Sequence, residues 1–242
     1  METRLIIMDI LTFVCIPIYA EENRRDEYLD KLQVQSGKIS TTIFNFQEKF
    51  WEHSYVMKSL FGYTEDIGIS ASYQFTDWVS VDAIFMPIED DDKINYRMGV
   101  SFTPTEGLHI RLYGGVNDNN EINQFTSANM AAFIGYKSKE FALGAELNHT
   151  INSPYILNNN VVGYSIFASV KLANCATFYT RYDEHFSVEN SSYLENEQAA
   201  VIGFEFMITD KIKLSPNFKM DFSKNSELSN SYFTCLSCNI KF

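Results

Sequence analysis

Apolar and polar residues alternate along most of the chain. Between Ile212 and Phe222, every even-numbered residue is apolar and every odd-numbered residue is polar or charged. The same period recurs in residues 162–172, 176–183 and 200–208. A period of two is that of a β-strand, because successive side chains point to opposite faces. Segments of about ten residues with this period have the length of a strand that crosses a membrane.

The connections between these segments alternate in length. The short turns are at Thr76-Asp77, Thr103–Gly107, Lys137–Lys139, Ala173-Asn174 and Thr209-Asp210. The longer polar connections are Ile88–Lys93, Asn117–Gln124, His149–Asn160, Glu184–Glu197 and Ser223–Asn230. Outer-membrane barrels have short periplasmic turns and long external loops, whereas a soluble sandwich lacks this rhythm.

We therefore expect an all-β protein, a closed antiparallel transmembrane β-barrel of about twelve strands. The expected strands are residues 37–47, 66–75, 78–87, 94–103, 107–116, 126–137, 139–148, 161–172, 175–183, 198–208, 211–222 and 231–242. The count becomes fourteen if Tyr55–Tyr63 forms a further hairpin instead of extending the second strand. An even number of strands places both termini on the periplasmic side.

The N-terminus has the features of an export signal. Arg4 precedes an apolar stretch, Leu5–Ala20, that only Asp9 interrupts with a charge. The stretch is too short for a stable membrane-spanning helix, and a buried N-terminal helix is the alternative. We expect residues 1–20 to be a signal peptide, residues 21–36 a periplasmic lead-in and residues 37–242 the barrel.

Composition narrows the class of protein further. The chain has 242 residues, 45% of them hydrophobic and 21% charged, with a net charge of −12. This acidic balance argues against a nucleic-acid-binding surface. After residue 20, no apolar run approaches the ~18 residues that a membrane-spanning helix needs. An alternating barrel remains compatible with this composition.

Few residues have the spacing of a reactive or metal-binding site. Cys235 and Cys238 are three positions apart, and in a strand such residues point to opposite faces. None of the four histidines lies in a metal-ligand spacing. We therefore expect no metal site, no cofactor and no catalytic residues.

The final predicted strand has an aromatic end. Tyr232, Leu236, Ile240 and Phe242 lie on one face of this strand. The pattern resembles the signal that bacterial barrel-assembly machinery recognises. The expected partners are that machinery, the lipids and lipopolysaccharide of the outer membrane, and further copies of this chain.

Several motifs resemble those of one porin family. The stretches AAFIGYKSKEFALGAELNHT and VVGYSIFASVKLANCATFYTRYDE lie in residues 131–184, and AAVIGFEF follows at residues 199–206. They resemble the C-terminal half of the phosphate-selective-porin-like barrels of Bacteroidota, and Gly37-Lys38 resembles the start of that family's first strand. The resemblance implies a Gram-negative outer-membrane location and a porin-like pore, and it is loose over residues 37–130.

If the apolar faces meet lipid, the opposite faces line the interior. The predicted pore-lining residues are Arg97, Arg111, Glu146, Lys171, Arg181, Glu205, Lys213 and Lys219. When the further inward positions Asp82, Asp183, Asp221 and Lys241 are included, seven cations face five carboxylates, and this slight excess predicts an anion-preferring path. Exposed aromatic residues near the strand ends are expected to form bands at the membrane interfaces; they are Phe75, Trp78, Phe102, Tyr136, Phe141, Tyr182, Phe222 and Phe242.

The sequence leaves three functions open. The first is a porin-like channel for passive diffusion of small hydrophilic solutes or ions. The second is a non-conducting structural or adhesin barrel, in which paired charges fill the interior. The third is an outer-membrane lipid hydrolase, for which His149 and Ser153 would be the candidate residues.

Overall fold

The computed structural model describes residues 31–40, 46, 50–51, 65–87, 94–117, 126–153, 160–188, 197–223 and 230–240. Its regular structure consists of twelve β-strands. They are β1 Leu32–Ser40, β2 Glu65–Thr76, β3 Val79–Pro87, β4 Ile94–Thr105, β5 Leu108–Asn117, β6 Ser127–Lys137, β7 Phe141–Ile151, β8 Val161–Ala173, β9 Ala176–Ser187, β10 Glu197–Thr209, β11 Ile212–Ser223 and β12 Ser231–Ile240. The predicted fold class, an all-β antiparallel protein with twelve strands, is confirmed.

All the strands belong to one sheet in chain order. Each strand pairs with the next in antiparallel register, as when Arg111 lies opposite Phe133 and Phe133 opposite Glu146. β1 and β12 are the two ends of this order, and the described parts of these strands do not pair with each other. No helix within the described ranges is long and apolar enough to cross a membrane.

Burial along the strands is inverted relative to a soluble protein. On one face of β6 and β7, Ile134 is 53% exposed and Leu147 is 56% exposed. On the opposite faces, Glu146 is 4% exposed and Arg181 of β9 only 1%. Apolar residues on the exposed face and charged residues in the interior are typical of a sheet surrounded by lipid. We call these two sides the outer face and the inner face.

Four of the short turns are irregular. The register shifts between Gln74 and Thr76, and again beside the three turns that follow β4, β8 and β10. Such bulges increase the local twist and are frequent at barrel rims. At the β4–β5 turn, Gly107 has a φ of +83°, and a Cβ there would collide with the carbonyl oxygen of Lys137. Glycine is therefore the residue that this turn requires.

The structure corrects several predicted strand bounds. β1 is Leu32–Ser40, so it begins earlier than the predicted start at Gly37, and most of the rest of the predicted span 37–47 lies outside the described residues. β7 and β9 extend past their predicted ends, which makes His149 and Glu184 strand residues instead of loop residues. The ladder continues there because each of these residues pairs with a neighbouring strand.

Some predictions lie outside the described residues. They are the signal peptide, the further hairpin at Tyr55–Tyr63 and the terminal Phe242. These predictions stay untested.

Candidate channel interior

The structure places all eight predicted pore-lining residues on the inner face. The pairing shows this directly: Arg111, Glu146 and Asp183 lie in one row across the sheet, and Arg181 lies opposite Val201, which lies opposite Lys219. The inner-face cations on the described strands are Arg97, Arg111, Lys137, Lys171, Arg181, Lys213 and Lys219. The inner-face carboxylates with described side chains are Asp82, Glu146, Asp183, Glu205 and Asp221. The interior is therefore polar and of mixed charge.

Arg111 is the centre of one polar network. Its two terminal nitrogens donate to the two carboxylate oxygens of Asp82, at 2.6 and 2.8 Å. One of these nitrogens also donates to the Ser101 hydroxyl at 2.7 Å. Gly99 makes room for this pair, because a Cβ at that position would collide with the guanidinium group. A two-pronged arginine–carboxylate contact fixes the orientation of both side chains.

A second network surrounds Arg181. Its Nε lies 2.8 and 2.9 Å from the two carboxylate oxygens of Asp183, and one of its terminal nitrogens donates to the Ser165 hydroxyl at 2.9 Å. The Ser165 hydroxyl also donates to Asp183. The Arg181 and Asp183 side chains are 1% and 2% exposed. Charges buried this deeply are tolerated because they are paired and hydrogen-bonded.

The remaining inner-face contacts are less buried or uncharged. Lys213 Nζ lies 2.7 Å from Glu205, with side chains 29% and 16% exposed. Asn129 donates to Asn148 at 2.6 Å and to Thr150 at 2.9 Å. Three of the predicted pore-lining cations are thus engaged by carboxylates of the same face, which reduces the positive charge that they offer to a solute.

Three aromatic residues between β1 and β2 enter this interior. Phe46, Phe50 and Trp51 are helical, and we call them the aromatic insertion. Phe50 packs edge-on against Phe133 with ring centroids 5.2 Å apart, and Trp51 packs against Phe167 at 5.4 Å. Phe50 and Trp51 are 5% and 2% exposed. The insertion therefore narrows the space enclosed by the inner face.

The polar networks anchor the aromatic insertion. The guanidinium of Arg111 lies 5.2 Å from the Phe46 ring centroid, and that of Arg181 lies 5.5 Å from Trp51. Lys137 Nζ donates to the Phe50 carbonyl oxygen at 3.0 Å. Each cation that contacts the insertion lies on the inner face. The insertion is thus held by cation–π contacts and a hydrogen bond.

The sequence contains a signal for this insertion that our sequence analysis missed. Phe46, Phe50 and Trp51 have spacings of four and five residues within a connection between strands. Residues four apart share one face of a helix, so an apolar helical face in a connection predicts that the connection folds inward. The strand pattern alone says nothing about a segment between strands.

The outer face has aromatic residues near both strand ends. Near the short turns, Phe75 is exposed, and Tyr136 packs against Phe141 with ring centroids 5.6 Å apart, whereas Trp78 lies in the β2–β3 turn itself. Near the opposite ends, Tyr164 and Tyr182 both donate hydrogen bonds to Glu184, the Tyr182 bond being 2.8 Å long. Amphipathic aromatic rings favour the two membrane–water interfaces. Of the predicted band residues, only Phe242 lies outside the described residues.

The residues considered for hydrolysis or metal binding lie apart from the interior networks. His149 is on the outer face of β7, opposite Met130 and Val162, and Ser153 is buried beyond the end of that strand. Cys235 and Cys238 are free thiols, and Cys235 is less exposed than Cys238. Within the described ranges, no cluster of three or more His, Cys, Asp or Glu side chains could hold a metal ion.

No protein-family model and no curated protein sequence matches the chain. Solved structures of similar fold do. The outer membrane channel DcaP of Acinetobacter baumannii aligns with a TM-score of 0.66 and 11% identity, over 85% of this chain and 71% of that chain. An anion-selective porin from Comamonas acidovorans aligns with a TM-score of 0.67 and 10% identity, over 84% of this chain and 68% of that one. A loop-deletion mutant of OmpT, an outer membrane protein of Vibrio cholerae, aligns with a TM-score of 0.67 and 14% identity, over 87% and 76%. This chain has the fold of outer-membrane β-barrel proteins.

Proposed function

We propose that this protein is an outer-membrane channel for the passive diffusion of small hydrophilic solutes or ions. The observation that carries the proposal is the inverted burial of the sheet. The outer face presents apolar side chains such as Met98 and Ile166 to the surroundings, while the inner face holds paired charges and amides. An apolar belt around a polar interior suits a protein that lies in lipid and surrounds water. The fold shared with proteins described as an outer membrane channel and an anion-selective porin gives further support.

The aromatic insertion is the proposed constriction of this channel. Phe50 and Trp51 fill part of the interior. Arg181 holds Trp51 by a cation–π contact, and Lys137 holds Phe50 by a hydrogen bond. A narrow, partly apolar section lowers conductance because ions must shed water to pass it. We therefore expect small conductance steps.

A weak anion preference belongs to the same proposal. The described inner face has seven cations against five carboxylates, and Asp82, Asp183 and Glu205 each engage one of these cations. The net field along the path is then small and positive, which favours anions modestly. Membership of the phosphate-selective-porin-like barrels of Bacteroidota, export through a cleavable signal and assembly by the barrel machinery are further parts of this proposal.

A non-conducting barrel is the second candidate function. The same aromatic insertion favours it, because rings packed on Phe133 and Phe167 could close the path completely. The long loops would then carry the function by binding partners. Conductance distinguishes the two candidates.

The experiment is single-channel recording of the refolded protein in a planar lipid bilayer, with a salt gradient across the membrane. Stable steps and a reversal potential of the anion-selective sign would support the proposal. Trp51→Ala should enlarge the steps, because it removes part of the constriction. Phe141→Ala is the matched control, since it removes an aromatic ring from the outer face and should leave the steps unchanged. Absence of steps from the correctly folded wild type and from Trp51→Ala would overturn the channel proposal.

A further inference from the structure

The inner face contains a cavity that the aromatic insertion borders. Its volume is about 380 Å³, and it lies between Phe46 and the short turn that joins β2 to β3. Apart from Phe46, the described residues around it come from β2 to β5 and from that turn. Cavities that bind small molecules have volumes of roughly 300–1,000 Å³. The space is therefore large enough for a small solute.

The charges at this cavity do not favour an anion. Arg111 is the one guanidinium among the described lining residues, and Asp82 engages it through both carboxylate oxygens, at 2.6 and 2.8 Å. Asp77 adds a second carboxylate. If His109 were protonated, the net charge of these described lining side chains would be zero. An anionic solute would need an unpaired positive charge, which the described lining does not offer.

Groups that both donate and accept hydrogen bonds dominate the rest of the lining. They are the hydroxyls of Ser80, Ser101 and Thr103 and the side-chain amide of Gln74. Such groups pair best with ligand hydroxyls, which also donate and accept. The Phe46 ring adds a flat apolar surface, which suits the C–H face of a sugar ring.

We propose that this cavity is a subsite for a neutral, polyhydroxylated solute of the size of a monosaccharide. The proposal rests on the proposed channel function, because it names the class of solute that the channel would select. It separates two properties of the interior: the weak preference for anions among small ions, and a binding site for an uncharged solute near the short-turn end.

Intrinsic fluorescence can test this subsite without any measurement of current. The chain has two tryptophans, and Trp78 lines the cavity. In the Trp51→Phe variant, refolded in detergent, Trp78 is the only tryptophan. We expect a saturable change in its emission on titration with glucose, and no saturable change with inorganic phosphate.

Substitutions define the site within the same assay. Thr103→Val keeps the side-chain volume and removes the hydroxyl, and loss of one hydrogen bond should weaken glucose binding about three- to tenfold. Ser169→Ala is the matched control, because Ser169 lies on the inner face of β8, away from the cavity lining. If Thr103→Val does not fold, Ser80→Ala tests the same prediction.

Three outcomes would overturn the subsite: a saturable response to phosphate, no saturable response to glucose, or equal weakening by Thr103→Val and Ser169→Ala. The test also separates this proposal from the channel proposal. A protein that conducts but does not bind glucose contradicts the subsite alone. A protein that binds glucose but never conducts contradicts the channel alone.

Discussion

The buried pair of Arg181 and Asp183 provides the most quantitative prediction. Both side chains are almost fully buried, and the guanidinium Nε lies 2.8 and 2.9 Å from the two carboxylate oxygens. Asp183→Asn keeps the shape of the side chain but removes the carboxylate charge that the buried guanidinium contacts. Removing one partner of a buried pair costs about 3–5 kcal/mol, so we expect a loss of that size in the free energy of unfolding.

The Lys213–Glu205 pair supplies the matched control. Its N–O distance is 2.7 Å, but its side chains are 29% and 16% exposed. Solvent screens such a pair, and its contribution is about 0–1 kcal/mol. Glu205→Gln should therefore destabilise the protein far less than Asp183→Asn, although both substitutions remove one carboxylate charge from the inner face.

Urea unfolding of the protein refolded in lipid vesicles measures this difference. Trp51 reports on the site, because the Arg181 guanidinium lies 5.5 Å from its ring centroid. The double substitution Arg181→Met with Asp183→Asn should recover part of the stability, since both charges of this pair are removed together. Equal losses for Asp183→Asn and Glu205→Gln, or no recovery in the double variant, would refute the reasoning.

Three further predictions concern packing and conduction. Gly144→Ala should lower the free energy of unfolding by about 1–3 kcal/mol, because the added Cβ would collide with the Phe167 ring. Urea unfolding measures this loss, and Ala145→Gly is the comparison on the outer face of the same strand. An unchanged stability of Gly144→Ala would contradict the prediction. Lys219→Glu should shift the reversal potential in a salt gradient toward that of a cation-selective channel, since it replaces one inner-face cation by a carboxylate. Lys211→Glu, in the β10–β11 turn, makes the same charge change and should shift the potential less. Equal shifts would count against a conducting path along β11. Phe50→Ala should increase single-channel conductance, as Trp51→Ala should, by roughly twofold if each ring blocks a comparable part of the path. A decrease would show that the aromatic insertion does not constrict the path.

The alternation of apolar and polar residues predicted the fold, because the face to which each side chain points depends only on its position along its own strand. In β11, the period of two fixes which side chains face inward, and one register shift would exchange Lys219 and Phe218. Short turns join alternate pairs of strands, and a short turn leaves antiparallel pairing as the only arrangement for the two strands that it joins. For these reasons, all eight pore-lining candidates lie on the face where they were expected.

The contents of the interior could not be predicted in the same way. The contact of Arg181 with Trp51 joins residues 130 positions apart, and the Arg111–Asp82 pair joins strands β5 and β3, which are not adjacent. Such contacts depend on the curvature of the sheet and on the inward position of Phe46, Phe50 and Trp51. The strand pattern contains neither. The start of the first strand was also predicted wrongly, since the sequence predicts it at Gly37-Lys38 and β1 begins at Leu32.

The central claim is that the inner face lines a water-filled conducting path and the outer face meets lipid. Lys219 and Phe218 are adjacent on β11 and lie on opposite faces. We would replace each by cysteine in turn, in a background in which serine replaces the native cysteines, and record single-channel current while adding a charged thiol reagent. We expect the reagent to reduce the current of Lys219→Cys and to leave that of Phe218→Cys unchanged. Modification of Phe218→Cys with an unmodified Lys219→Cys would contradict it.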